Sequence, residues 1–242
     1  MMNVIQQPHS TLALYSSPES AGHAKPLNDP ATPTVGALRA GTVSPVDART
    51  DYKRQMVELA GQAILNFDEL SDGRVPDTIT FDDLQYRITG INIAGLRVTP
   101  EIEKLAEQLY ANGEEFFTGG KNSNPVIRWD DLCIKAGKFD LISDHALIEQ
   151  VDKYFDEYGG GDEYVNFNEL REAAGFRKTS KTFSAEARDV AREILSREKL
   201  LKKLDIGVGF LGMNGLNDDR FDRVNIRHTL ETASKKSWAR VR

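Results

Sequence analysis

Residues 154–175 read YFDEYGGGDEYVNFNELREAAG, and the order of residue types along them decides the fold. Tyr154 and Phe155 end a helix that carries Leu147, Ile148 and Val151 at helical spacing behind Ser143, a good N-cap residue. Gly159, Gly160, Gly161 and Asp162 break that helix and make a flexible acidic turn. Val165 to Leu170 then reads apolar, polar, aromatic, polar, acid, Leu, which is a short strand running into a second helix that Gly175 stops. The predicted unit is helix, loop, strand, helix.

The unit recurs along the chain. Upstream, Met56, Leu59, Ala60, Ala63, Ile64 and Phe67 make an amphipathic helix that starts at Ser44-Pro45 and ends near Phe67-Asp68. A breaker-rich loop from Ser71 to Asp77 follows, then Ile79-Thr80-Phe81-Asp82-Asp83-Leu84 and a helix that stops by Gly90. Thr99-Pro100 opens the next copy, with Ile102, Leu105, Ala106, Leu109 and Tyr110, a loop over residues 118–126, Ile127-Arg128-Trp129-Asp130-Asp131-Leu132, and Gly137. A fourth copy has a helix from Ser184 through Leu204, a long loop, and Val224-Asn225-Ile226-Arg227-His228 in the register of Val165 to Glu169. The anchors 79, 127, 165 and 224 are unevenly spaced, which fits paired units better than a solenoid of constant repeat.

From about residue 47 to 234 this pattern resembles the EF-hand superfamily, on the strength of the apolar-x-aromatic-x-acid-Leu signature behind three of the loops. The resemblance implies a mainly α fold of paired helix-loop-helix units whose short loop strands meet, preceded by a disordered leader. It divides the chain into a leader over 1–46, a pair of hands over 47–137, a second pair over 138–234 and a basic tail over 235–242. It also implies Ca²⁺ as cofactor, held by acidic residues at the start of a twelve-residue loop and a closing Glu. In the third hand the candidate ligands are Asp156, Asp162 and Glu169, spread over fourteen residues, because twelve counted back from Glu169 lands on Tyr158. The first hand offers Asp68, Asp72, Asp77 and Asp83. Its loop has twelve residues from Asp72, with Arg74 and Pro76 at ligand places and a closing Asp shorter than the usual Glu. The second has Asn122, Asn124 and Asp131 beside Lys121, and the fourth closes on His228, a poor ligand for a hard cation. Set against the metal reading is a structural one, in which these acids cap helices while Phe81, Trp129 and Phe167 fill the core.

Composition narrows the function classes. The chain of 242 residues has one cysteine, Cys133, so it has no internal disulfide and no thiolate-rich zinc site. No apolar run approaches the length of a membrane span, and no Sec-type signal opens the chain. Six of nine prolines lie in the Ser- and Thr-rich residues 1–46, a composition similar to bacterial type III secretion leaders, so the location expected is cytoplasmic or secreted by such a non-Sec route. Residues 47–234 hold 35 acids against 25 bases, which argues against a nucleic-acid-binding surface there and suits a basic protein partner. Gly207–Gly212 matches GxGxxG, but it follows a charged helix and precedes another loop signal, so neither a nucleotide site nor a small-molecule substrate is expected. The histidines form no paired metal motif, and Cys133 reads as a packed thiol. The expectation is a non-enzymatic binding protein, Ca²⁺-responsive if its hands are loaded, acting on a protein partner. The alternative is a metal-free scaffold, and an enzyme using Cys133 or the Gly207–Gly212 loop is the least favoured reading.

Overall fold

A computed structural model describes residues 45–119, 124–206 and 218–235. The leader up to residue 44, the loop residues Lys121 and Asn122, the 207–212 segment and the tail beyond Lys235 lie outside the described residues. Among the described residues, the chain is mainly α-helical, with four short strands of two or three residues.

Each unit begins with a helix in two pieces. Pro45–Leu65 (α1) is followed by Phe67–Leu70 (α2), Pro100–Ala111 (α4) by Gly113–Phe116 (α5), Asp144–Lys153 (α7) by Phe155–Gly159 (α8), and Ala185–Ser196 (α10) by Glu198–Ile206 (α11). One residue leaves the helical conformation at each break: Asn66, Asn112, Tyr154 or Arg197. At Asn66 and Asn112 the side-chain amide donates to the carbonyl four residues back, at 2.9 and 2.8 Å. This local bond competes with the backbone ladder, which is why Asn serves at a helix interruption. Continuous periodicity across the break had hidden it in the sequence.

After each loop comes the strand and the second helix: Thr78–Thr80 (β1) and Phe81–Ile88 (α3), Val126–Arg128 (β2) and Trp129–Lys135 (α6), Val165–Asn166 (β3) and Phe167–Ala173 (α9), Arg220–Phe221 (β4) and Arg223–Thr232 (α12). β1 pairs antiparallel with β2, bringing Ile79 opposite Ile127, and β3 pairs with β4, bringing Val165 opposite Phe221. All four anchors are fully buried. Sealing such a side chain contributes about 1.5–3 kcal/mol relative to exposure, so these pairs hold each two-unit assembly together despite very short strands.

The fourth strand corrects the sequence register. Val224 was aligned with Val165, but Phe221 takes that place, and Val224 sits on α12 with 52% of its surface exposed. Val-x-Ile spacing can be read as strand or helix over so few residues, and the larger aromatic wins the buried position. The residue matching Glu169 is therefore Asn225, not His228. Its backbone N–H donates to the N-cap Asp222 at 2.8 Å.

One apolar core runs through both pairs. Phe67 meets Trp129 edge-on in the first, and Phe155 meets Phe221 edge-on in the second. Polar contacts add to this core where the two pairs meet. Asp130 receives both the backbone N–H (2.9 Å) and the hydroxyl (2.7 Å) of Ser143, and Trp129 Nε1 donates to the Leu141 carbonyl at 3.3 Å. Buried Arg197 donates to Asp144 (2.9 Å), Glu193 (2.6 Å) and the Phe139 carbonyl (3.1 Å). The helix break at Arg197 places this side chain at the joint.

Candidate cation sites in the loops

In the third unit the sequence candidates face different partners. Glu169 caps α9: its Oε2 accepts from the Asn166 backbone N–H at 3.0 Å and the Asn166 amide at 2.9 Å, while Asn166 Oδ1 accepts from the Asn168 and Glu169 backbone. Its other oxygen, Oε1, accepts from Lys181 Nζ at 2.9 Å. The same ammonium donates to the backbone carbonyl of Tyr158 at 3.2 Å. A positive charge therefore sits between the closing carboxylate and a loop carbonyl, and it belongs to the chain itself. Gly160, at φ +68°, lies beneath it, since a Cβ there would stand 3.7 Å from Nζ. Tyr158 is buried and anchors the loop from below, its hydroxyl donating to the Ala187 carbonyl at 2.8 Å.

Asp156 and Asp162 do not join Glu169. Asp156 accepts from Arg223 at 2.9 Å, and Arg223 also donates to Asp152 at 2.9 Å. The hydrogen bond to the Asp156 carboxylate raises the Arg223 pKa above its ordinary value. Asp162 stands exposed, and both aspartates line a shallow depression of about 360 Å³ with Phe155, Glu163, Tyr164, Asp222, Arg223 and Val224.

In the first unit Asp68 is exposed on α2, whereas Asp72 and Asp83 come together. Asp77, sixth from Asp72, takes φ +54°, the left-handed turn that Gly ordinarily supplies, and its carbonyl accepts the Trp129 N–H at 2.9 Å. Asp72 accepts from the Arg74 backbone at 2.8 Å and pairs with the Arg74 guanidinium. Burial works to raise the Asp72 carboxyl, but the hydrogen bonds from Arg74 and Asp83 outweigh it and hold the group below the usual carboxylate value. Asp83 closes a capping box with Thr80, and burial, opposed by the Thr80 bonds and reinforced by Asp72, pushes its carboxyl up.

The other two loops also pair acids with bases of the chain. Arg128 forks onto Asp131 at 2.8 and 3.1 Å, and Arg220 donates to Asp218 at 2.6 Å. Each unit thus neutralises loop acid with its own cation. Among the described residues, no three or more His, Cys, Asp or Glu side chains converge as a metal ion would require. Cys133 is fully buried, and burial pushes its thiol up to about 12, so the thiolate needed by a nucleophile is suppressed.

No family model, curated protein or solved structure matches the chain. The site is accordingly read from its residues alone. Sequence reasoning missed Lys181 and Arg223, because their roles depend on partners that local pattern does not reveal. It also missed Asp205, a buried acceptor for the Asp218 and Arg220 backbone N–H groups.

Proposed function

We propose that this protein is a metal-independent helical scaffold, built of EF-hand-like pairs, that acts by binding a basic protein segment. The observation that carries the reading is the Lys181 ammonium held between Glu169 and the Tyr158 carbonyl. A tethered ammonium there already places a positive charge where Ca²⁺ would sit, and a Ca²⁺ ion would have to expel it while gathering six to eight oxygens. The candidate ligands of the third unit do not fit that demand, since Asp156 is paired with Arg223, and Asp162 lines the depression beside that pair, away from Glu169.

That depression supports the choice of partner. Asp162 and Glu163 are exposed, and Tyr164 and Val224 are large hydrophobics exposed at its rim. Acid around apolar anchors suits a Lys- or Arg-bearing amphipathic segment, which gains orientation from charge and affinity from apolar contact. The excess of acids in residues 47–234 adds long-range attraction of the same sign.

Calorimetric titration with Ca²⁺ and with Mg²⁺, together with melting curves in chelator, tests the first half. The expected result is no saturable binding below millimolar Ca²⁺ and an unchanged melting temperature. Micromolar Ca²⁺ binding that E169Q abolishes would establish the sensor reading instead. For the second half, a designed Lys/Leu amphipathic peptide is expected to bind the full chain, with affinity falling about tenfold on D162K/E163K, equivalent to about 1.4 kcal/mol. Equal affinity for both proteins would remove this face from consideration.

A further inference from the structure

The linker after α9 carries charge of the opposite sign to the rest of the body. Residues 171–182 read REAAGFRKTSKT, four bases against one acid, inside a stretch where acids outnumber bases. The linker starts from a helix stop of defined geometry. Gly175, at φ +81°, donates its N–H to the Glu172 carbonyl at 3.0 Å, and Phe176 donates its own to the Arg171 carbonyl at 2.8 Å. An apolar residue after such a glycine frequently packs back on the last helical turn, but the residue it would meet first here is Arg171. Phe176 is left with 65% of its surface exposed. Arg192 Nε ties the stop to α10 through the Ala174 carbonyl at 3.0 Å, and Lys181 ties the far end of the linker to Glu169 and Tyr158. Between these fixed points Phe176, Arg177 and Lys178 are exposed. The ion pairs of this region go through Lys181 and Arg192, and among the described residues Arg177 and Lys178 have none.

The depression beside the loop of the third unit is the complement of this segment. Asp162 and Glu163 are exposed and, among the described residues, enter no ion pair, whereas Asp156 is held by Arg223 and Asp222 caps α12. Tyr164 and Val224 add exposed apolar surface. Its volume of about 360 Å³, about a dozen waters' share of the liquid, has room for one aromatic ring. Within one chain the two faces stay apart. Tyr164 lies under the Arg220 guanidinium, 4.8 Å from the ring centre, and among the described residues Phe176 touches no other ring.

We propose that the linker turn of one copy, with Phe176 as its anchor and Arg177 and Lys178 as its charges, docks in the Asp162–Tyr164 depression of a second copy, so that the chain binds itself. The inference rests on the reading above, that this depression takes a basic segment with an apolar face, and it names that segment. The contact joins unlike faces and each copy offers both, so it builds a reciprocal pair or an open chain of copies. A linker fixed at both ends loses little freedom on docking. One turn in one depression is smaller than a standard interface of about 800 Å² per partner, and a formal charge of −6 makes copies repel at long range. Association is therefore weak and belongs to high protein concentration.

Sedimentation velocity of the full chain over a concentration series tests this. The wild type is expected to associate reversibly, and F176S, R177E/K178E and D162K/E163K each to weaken association by about tenfold or more. All the replaced side chains are exposed, and an unchanged melting temperature checks that each variant is folded. The decisive arm mixes R177E/K178E with D162K/E163K. Neither associates alone, but the acidic linker of the first fits the basic depression of the second and the reverse pairing is that of the wild type, so the mixture is expected to recover association. A wild type that stays monomeric, an association that these substitutions leave unchanged, or a mixture no better than its components would overturn the self-contact. Monomers that cosediment with phosphatidylserine vesicles through Phe176 would overturn it too, and assign the linker to a membrane. The Lys/Leu peptide keeps this failure separate from that of the underlying reading. Peptide bound in the depression of a monomeric chain removes only the second copy, whereas equal peptide binding by wild type and D162K/E163K removes the depression itself.

Discussion

At the scale of single residues, the loop acids are spent on internal work. Glu169 is at once the N3 partner of a capping box and the acceptor for Lys181, so one side chain joins a helix start to the linker after α9. Lys181 is more than a third exposed, and solvent screens such a pair, so its contribution is about 0.5–1 kcal/mol at most. K181M and E169Q are each expected to lower unfolding stability by up to about 1 kcal/mol in urea titrations, with the double variant less than additive because both remove one contact. A fully additive pair would show that the two side chains act separately. Asp77 illustrates a different economy: an Asp in the left-handed region replaces the expected Gly, and its carbonyl receives the first N–H of α6 across the paired strands.

At the scale of elements, one architecture is repeated with different chemistry at the cap. Thr80, Asn166 and Asp222 all accept from backbone N–H groups of the following helix, whereas Arg128 caps nothing and instead binds Asp131. The fourth unit is the sharpest test of strand register. F221A should cost about 3–5 kcal/mol, because it empties a fully buried position opposite Val165, while V224A should stay within about 0.5 kcal/mol as an exposed helix change. Reversal of that order in denaturant unfolding would restore the register read from Val224. The helix breaks matter at the same scale. Each turns a short second piece toward its loop, and at Arg197 the break carries a buried cation to the joint.

For the whole molecule, the two strand-paired assemblies are joined by an apolar core and by the Arg197 network, so unfolding is expected as one cooperative transition. R197A removes the guanidinium that Asp144, Glu193 and the Phe139 carbonyl share, and loss of one partner from a buried pair costs about 3–5 kcal/mol. Calorimetry should show a lower melting temperature in this variant. Two well-separated transitions in the wild-type chain would break the single-core description. By itself the sequence determined the helix starts, the repeated strand-helix signature and the apolar anchors of three units, because caps, breakers and periodicity act over a few residues. The fourth anchor, the split helices and the fate of the acids were decided only by tertiary structure. Lys181 reaches Glu169 across 12 residues, Arg197 reaches Asp144 across 53, and Arg223 reaches Asp156 across 67. An acid's local spacing states what it is able to hold, but packing chooses which charge arrives first.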